Sequence, residues 1–265
     1  MSSAEPALDL RAEARRDPLC LPGVDALDEE TRARAADNWR DRMASEHASS
    51  RVFAALLPQL MRAGMARRHQ LAVASMVQQE LDHALLCARV VTALGAEAVA
   101  PLPRLDPVPE HADAGPLETV LRNVISISCC SETVAVALVG TEREQAATSS
   151  LRDTLQRILA DEVKHARFGW RLLEETAPTL DRDARCRLDA YLVVAFAHQL
   201  DFHAPFLELP AASELAASYG APCGPSSWRC FVDTMLQVTI PGLERHGLAA
   251  RDAWLEALQR RLHAG

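Results

Sequence analysis

Two glutamates in this chain are each followed three residues later by a histidine, in Glu80-Leu81-Asp82-His83 and in Glu162-Val163-Lys164-His165. Residues three apart on a helix project from one face, so each pair can offer a carboxylate and an imidazole to a single metal ion. One such pair means little, because 19 Glu and 9 His in 265 residues give about 0.6 copies by chance. Here both copies follow another glutamate in an apolar stretch, Glu46 lying 34 residues before Glu80 and Glu132 lying 30 before Glu162. Glu46, Glu80, His83, Glu132, Glu162 and His165 are therefore the candidate metal ligands and catalytic residues, set out as an internal duplication. Four carboxylates and two imidazoles give three donors to each of two ions, more if some are shared. This donor mixture with open positions suits iron or manganese, whereas structural zinc favours four closed ligands, usually with thiolate. Two divalent cations neutralise four carboxylates, which would otherwise repel one another in an apolar core at about several kcal/mol each. The bland alternative, solvated glutamates on helix surfaces, requires the apolar faces of these helices to point outwards.

Four helices must position these residues. The acids Asp28-Glu29-Glu30 suit a helix N-terminus, and Trp39, Met43, Glu46, Ser50, Phe53, Leu57 and Leu60 then form a stripe spaced by threes and fours that ends at Gly64. A second helix over 65–94 puts Val73, Met76, Glu80, His83, Cys87 and Val90 on one face, and Gly95 closes it. From Ala96 to Pro116 there are five Pro and almost no helical pattern. Its 21 residues can reach about 70 Å, more than the roughly 45 Å of a 30-residue helix, which makes it a long crossover. A third helix over 117–145 faces Leu121, Ile125, Ser128, Glu132, Ala135 and Val139 inward, and a fourth, with Ser150 as its expected N-cap, carries Glu162 and His165. Counting from turns at Gly64 and Thr148, antiparallel pairing brings all six candidates to one level. The expected fold is all-α: an N-terminal extension (1–27), an antiparallel four-helix bundle with a long crossover (28–176), and C-terminal helices packing on the bundle (177–265). In that last part, Pro241 is expected to break the chain before a final helix over 242–262.

Composition limits what else the chain can be. Hydrophobic residues make up 49%, enough for a substantial core, and Ala and Leu dominate over β-branched and aromatic residues. A net charge of −8 and the lack of an evident basic stripe argue against nucleic acid as a partner; Arg62, Arg67, Arg68 and His69 read more simply as solvated charges around a turn. Seven Cys without C-x-x-C fit no disulfide framework and point to a reducing cytoplasm, with Cys87, Cys129 and Cys130 as core residues, a vicinal-thiol redox role for the last two being the alternative, and with His198 and His203 as core or surface residues or else cavity-lining ones. The N-terminus has no signal-peptide h-region. The longest apolar run, Val124–Gly140, is short for a membrane span and has Glu132 at its centre.

The six residues resemble the ferritin-like di-iron carboxylate proteins, whose pattern is Glu, Glu-x-x-His, Glu, Glu-x-x-His on four antiparallel helices. The resemblance covers 28 to about 175. It implies a ferritin-like bundle, two iron ions (manganese or mixed iron and manganese being the variants), bridging roles for Glu80 and Glu162, and terminal roles for Glu46 and Glu132. Departures narrow the branch. The C-x-x-C module of rubrerythrin-like proteins is missing, Ile158 stands where N-oxygenases carry a further His, and the only tyrosines, Tyr191 and Tyr219, fall outside the expected bundle. About 90 residues follow the fourth helix, more than a storage ferritin needs; the tRNA-hydroxylase and quinone-hydroxylase branches stay open. The implied function is an O2-activating oxidoreductase that hydroxylates or desaturates a small organic substrate with electrons from an external donor, as a monomer or an oligomer. The competing class is a ferroxidase or iron-handling protein without an organic substrate. Small residues near the candidates (Ser49, Ser50, Ser128, Cys129, Ala166, Gly169) would leave room for O2 or substrate, or simply ease helix packing. Asp161, one turn before His165, is a candidate to accept an imidazole N–H, the plainer reading being a solvent-facing acid.

Overall fold

The computed structural model describes residues 7–102 and 106–264; the first six residues of the expected extension and 103–105 of the crossover lie outside them. Among the described residues the architecture is all-helical apart from one two-stranded ribbon. Asp28 caps helix α2 (Glu29–Arg62) by accepting from the Thr31 N–H at 2.7 Å, and Gly64, at φ 65°, turns the chain into α3 (Arg67–Ala93). Helices α4 (Pro116–Val124) and α5 (Glu132–Gln145) are joined without a break by a π-helical stretch, Ile125–Ser131. Helix α6 (Ser149–Thr176) completes the bundle. Its cap is Thr148, not Ser150: the Thr148 hydroxyl accepts from the Leu151 N–H at 3.1 Å.

The contacts define a ring of antiparallel neighbours. Helix α3 meets α6 end to start, with Arg68 paired to Glu175 and Gln79 to Asp161; α2 meets the α4–α5 helix in the same sense, with Gln59 bonded to Asn123 and Arg42 paired to Glu142. The α2–α3 and α5–α6 hairpins close the ring. The long connection from α3 to α4 thus joins two parallel helices. It is held down by Gln59 and Asn123, whose amides both donate to the Pro109 carbonyl, at 3.3 and 2.8 Å.

The N-terminal segment is more than a surface extension. Strand β1 (Ala7–Asp9) pairs antiparallel with β2 (Val99–Pro101) in the crossover, and α1 (Arg11–Arg16) packs on α3. Leu8, Ala14, Leu21 and Leu27 are buried there, which explains why this charged stretch stays attached.

The C-terminal layer consists of α7 (Arg182–His203), α8 (Glu214–Ser218), α9 (Gly224–Thr234), a second π stretch (Met235–Thr239), α10 (Ile240–Arg245) and α11 (Ala250–Ala264). Helix α7 packs on α4 and the first π stretch, and α9 packs on α5. Phe196, Phe231, Met235 and Trp254 form its core. His203 is a core residue, its ring 4.3 Å from that of Phe231. The expected break at Pro241 does not occur. The chain stays helical from 224 to 245, because the preceding π turn moves aside the Gln237 carbonyl that the proline ring would meet in a regular helix. The break comes instead at Gly247, at φ 79°.

By length and composition the 30-residue helix Pro116–Gln145 could cross a membrane, so the expectation that this run is too short is corrected. Half of its most apolar window is buried in the fold, as befits a bundle helix.

Candidate metal centre

The structure brings all six sequence-predicted residues together. They fall into two groups, Glu46, Glu80, His83 and Glu162, and Glu80, Glu132, Glu162 and His165, in each of which the four donor atoms lie within 4.8 Å of one another. Donors about 2.0–2.2 Å from one ion stand about 3–4 Å apart, so each group is close to the span an ion requires. Glu80 and Glu162 belong to both.

The groups turn the Nδ1 edges of their histidines inward. His83 Nδ1 is 3.3 Å from Glu162, 3.5 Å from Glu46 and 4.0 Å from Glu80. His165 Nδ1 is 3.0 Å from Glu80, 3.2 Å from Glu162 and 3.7 Å from Glu132. His165 Nδ1 is hydrogen-bonded to Glu162, but Glu80 Oε1 and His83 Nδ1 are buried with no aligned hydrogen-bond partner. One orphaned donor atom in each group, Glu80 Oε1 facing His165 and His83 Nδ1 facing Glu162 and Glu46, is what a metal ion would satisfy, since buried polar atoms are otherwise bonded.

The outer edges of both imidazoles are held by one linked pair. Asp161 can only accept, so the Gln79 amide nitrogen, 3.0 Å away, must face it. This leaves Gln79 Oε1 to accept the His165 Nε2–H at 3.0 Å, while Asp161 lies 3.4 Å from His83 Nε2. With Nε2 of each ring facing an acceptor, Nδ1 is the nitrogen left on each for a metal to take in place of a proton. The partner of Asp161 is thus His83 across the helix interface and not His165 on its own helix, and Lys164, 2.7 Å away, adds to its charge balance. Burial would raise the Asp161 carboxyl, but Lys164 and His83 outweigh it and hold the group below its usual range.

Without metal the centre has too many acids. Burial, helped by the charge of Glu162, pushes Glu132 well above 4.5; burial also raises Glu80, with Glu46 and Glu162 adding to the effect against His165. Glu162 goes the other way: burial opposes its charge, but bonds from Glu132, His165 and His83 hold it ionised. Without metal, Glu132 is thus favoured as the acid and Glu162 as the carboxylate. Burial alone would lower both imidazoles, yet the surrounding carboxylates, Glu162 and Glu46 for His83 and Glu132, Glu162 and Glu80 for His165, push them up to about 11 and about 12. Metal would replace these protons.

Local structure explains how Glu132 arrives. It is the first residue after the π stretch, where the Ser131 hydroxyl donates to the Ser126 carbonyl at 3.2 Å and the Thr133 hydroxyl to the Ser128 carbonyl at 3.5 Å. Helix α6 approaches this stretch through Gly169, whose added Cβ would lie 2.5 Å from Ser128 Cβ. Gly169 is therefore small for packing rather than for a ligand. From the other side, Gln199 of α7 donates to Ser131 Oγ at 2.9 Å. The Phe53 ring, 5.3 Å from that of His165, adds an apolar wall.

Sequence reasoning missed Gln79, because its partners come from another helix. It also missed a basic ridge: Lys164, Arg167 and Arg171, spaced by three and four, share one face of α6 beside Arg68 of α3. That spacing by three and four is the signal in the sequence that places the three on one helix face. The cysteines are free; Cys87, Cys129 and Cys130 are buried, and burial pushes all three thiols up, Cys130 to about 12, which disfavours a redox role for the vicinal pair. Of the tyrosines, Tyr191 packs on Arg122 and His111, and Tyr219 donates to the Pro22 carbonyl at 2.7 Å.

What these features define is an all-helical protein with a buried Glu/His cluster able to hold a metal ion. No protein-family model, curated protein or solved structure matches the chain.

Proposed function

We propose that the chain is a ferritin-like, non-haem di-iron oxidoreductase that uses O2 to hydroxylate or desaturate a small organic substrate, with electrons from an external donor. The observation that carries this reading is the pair of four-residue groups sharing Glu80 and Glu162 on four different helices. Glu46, Glu80, His83 and Glu162 would hold one ion, and Glu80, Glu132, Glu162 and His165 the other. Two iron ions would supply the one-electron steps and the reduction of O2 that no side chain here can perform. Manganese fits the same donors. Placing one oxygen atom in the substrate and releasing the other as water takes two electrons and two protons from outside, hence the external donor.

The chain's own residues supply geometry and dryness. Asp161 and Gln79 fix the imidazole tautomers, the acids match the charge of two divalent ions, and the burial of His83, His165, Glu80 and Glu162 excludes water. The free cysteines fit a reducing cytoplasm.

The test is anaerobic loading with ferrous iron, removal of excess metal, elemental analysis, and exposure to O2. About two iron ions per chain and an O2-dependent absorbance change are expected. One tightly held zinc ion with no response to O2 would end the proposal, and oxidation that yields only a ferric mineral would turn it into an iron-handling one.

A further inference from the structure

Between α3 and α6, on the outer side of the helix pair that supplies Glu80, His83, Glu162 and His165, lies a groove of about 420 Å3. This is within the roughly 300–1,000 Å3 of small-molecule sites. Its rim is cationic, with Arg68, Lys164, Arg167 and Arg171 exposed, and Met76 and Phe168 are buried beneath them.

The four cations are not equivalent. Arg68 is paired with Glu175 at 2.8 Å and Lys164 with Asp161 at 2.7 Å. Arg167 and Arg171 form no ion pair or side-chain hydrogen bond among the described residues. Like charges one turn apart on a helix repel, and no acid is paired with either of these two among the described residues. An anion would offset that repulsion. Both arginines also border a second groove across α6, but that one contains Glu174, an acid with no ion pair among the described residues. On the α3 side the one comparable acid, Glu175, is already taken by Arg68 and by His69 at 3.1 Å. That second groove also holds Arg245, so the charge of the two arginines alone does not choose a side; what favours the α3 side is the further pair of cations along its rim, Arg68 and Lys164, and the apolar Met76 and Phe168 recessed between the two helices beneath them.

We infer that this groove binds a small organic acid, its carboxylate or phosphate held by Arg167 and Arg171 and its apolar body lying over Met76 and Phe168. Guanidinium groups suit both anions, since their planar donors match pairs of oxygens. One wall is Gln79, whose carbonyl oxygen accepts from His165 Nε2, so an occupant lies one side chain away from the buried cluster. The inference itself needs neither metal nor O2.

It is tested by calorimetric titration of the full-length protein with octanoate, octyl phosphate, octylamine and 1-octanol. Saturable binding of the two anions, one per chain, is expected, with weaker or no binding of the amine and the alcohol. Arg167→Ala/Arg171→Ala should weaken anion binding by roughly tenfold or more. Arg167→Lys/Arg171→Lys should keep most of it, and Arg260→Ala, on the distant α11, should change nothing. Both arginines are exposed, so the variants should fold, which circular dichroism checks. The inference is overturned if neither anion saturates, if octanol binds as tightly as octanoate, or if the double alanine variant binds like the parent. Docking of an acidic protein on this ridge without octanoate binding would overturn it as well. Because the readout is heat, failure here leaves the metal centre standing, and failure to load iron leaves the groove standing.

Discussion

The α4–α5 helix carries two buried acids 14 residues apart, Glu118 and Glu132, in opposite electrostatic settings. Glu118 meets Arg122 at 2.6 Å and Arg187 at 2.8 Å, and Arg122 also reaches Asp113 at 3.0 Å and lies over the Tyr191 ring. Acid and base are balanced in that cluster, and it belongs to the architecture. Glu132 meets Glu162, Glu80 and one imidazole, with neither Lys nor Arg among its partners. Within one helix, burial of a carboxylate means structure where the partner is a permanent cation and points to a ligand site where it is not.

The contrast is sharpest in the Glu118 variant. Glu118→Ala removes the buried partner of Arg122, leaving it the exposed Asp113 alone, and should cost about 1–3 kcal/mol in denaturant unfolding, while the metal content of the folded fraction stays as in the parent. An unchanged unfolding midpoint would show that Glu118 is no structural anchor. Glu132→Gln should behave in the opposite way. It loses metal by elemental analysis after gel filtration, yet the metal-free variant is no less stable than the metal-free parent at neutral pH. Full occupancy in this variant removes Glu132 from the centre.

The pH dependence follows the same logic. Glu132 and Glu80 have folded-state pKa values raised above 4.5, and His83 and His165 are raised from 6.5 to about 11 and about 12. A raised value means that the folded state holds its proton more tightly. The contribution to stability is full below the unfolded value and is lost as pH rises through the folded one. Glu162 is depressed, so its contribution is present above 4.5 and is lost only on acidification. Metal-free protein should therefore lose stability as pH rises above 4.5, with the imidazoles adding to the loss above 6.5 and on towards about 11, and metal-loaded protein much less. Parallel Tm curves for the two forms would contradict this.

A smaller effect is expected outside the ligands. Asp161→Asn replaces the acceptor facing His83 Nε2 and should weaken metal binding by about 10–100-fold, read by chelator competition; unchanged affinity would reduce Asp161 to a surface acid. The smallest effect should come from Arg187→Ala, because Arg122 still pairs with Glu118. Its Tm loss should fall well below that of Glu118→Ala, with metal content untouched.

Much of this centre was legible because helical periodicity and turn positions are local. Gly64 and the turn near Thr148 set the counts that place Glu46 level with Glu80 and Glu132 level with Glu162, and the apolar stripes around them told inside from outside. What stayed hidden depends on neighbours. Gln79 gains its role only because Asp161 and His165 stand across from it on α6. Pro241 is a breaker in an α-helix but not after a π turn, whose hydrogen-bond shift has no residue signature. The pairing of Ala7–Asp9 with Val99–Pro101 joins segments about 90 residues apart, beyond any local pattern.

The π stretch between the two buried acids also acts as a phase joint. Each residue of a regular α-helix turns the face by about 100°, so one extra residue accommodated between Ile125 and Ser131 rotates everything after it against everything before it. The face that places Glu118 against α7 and the face that sends Glu132 into the bundle can thus be set separately on one rod. Clamped by Gly169 on one side and Gln199 on the other, the joint cannot relax into a regular helix without moving one of the two clusters out of alignment.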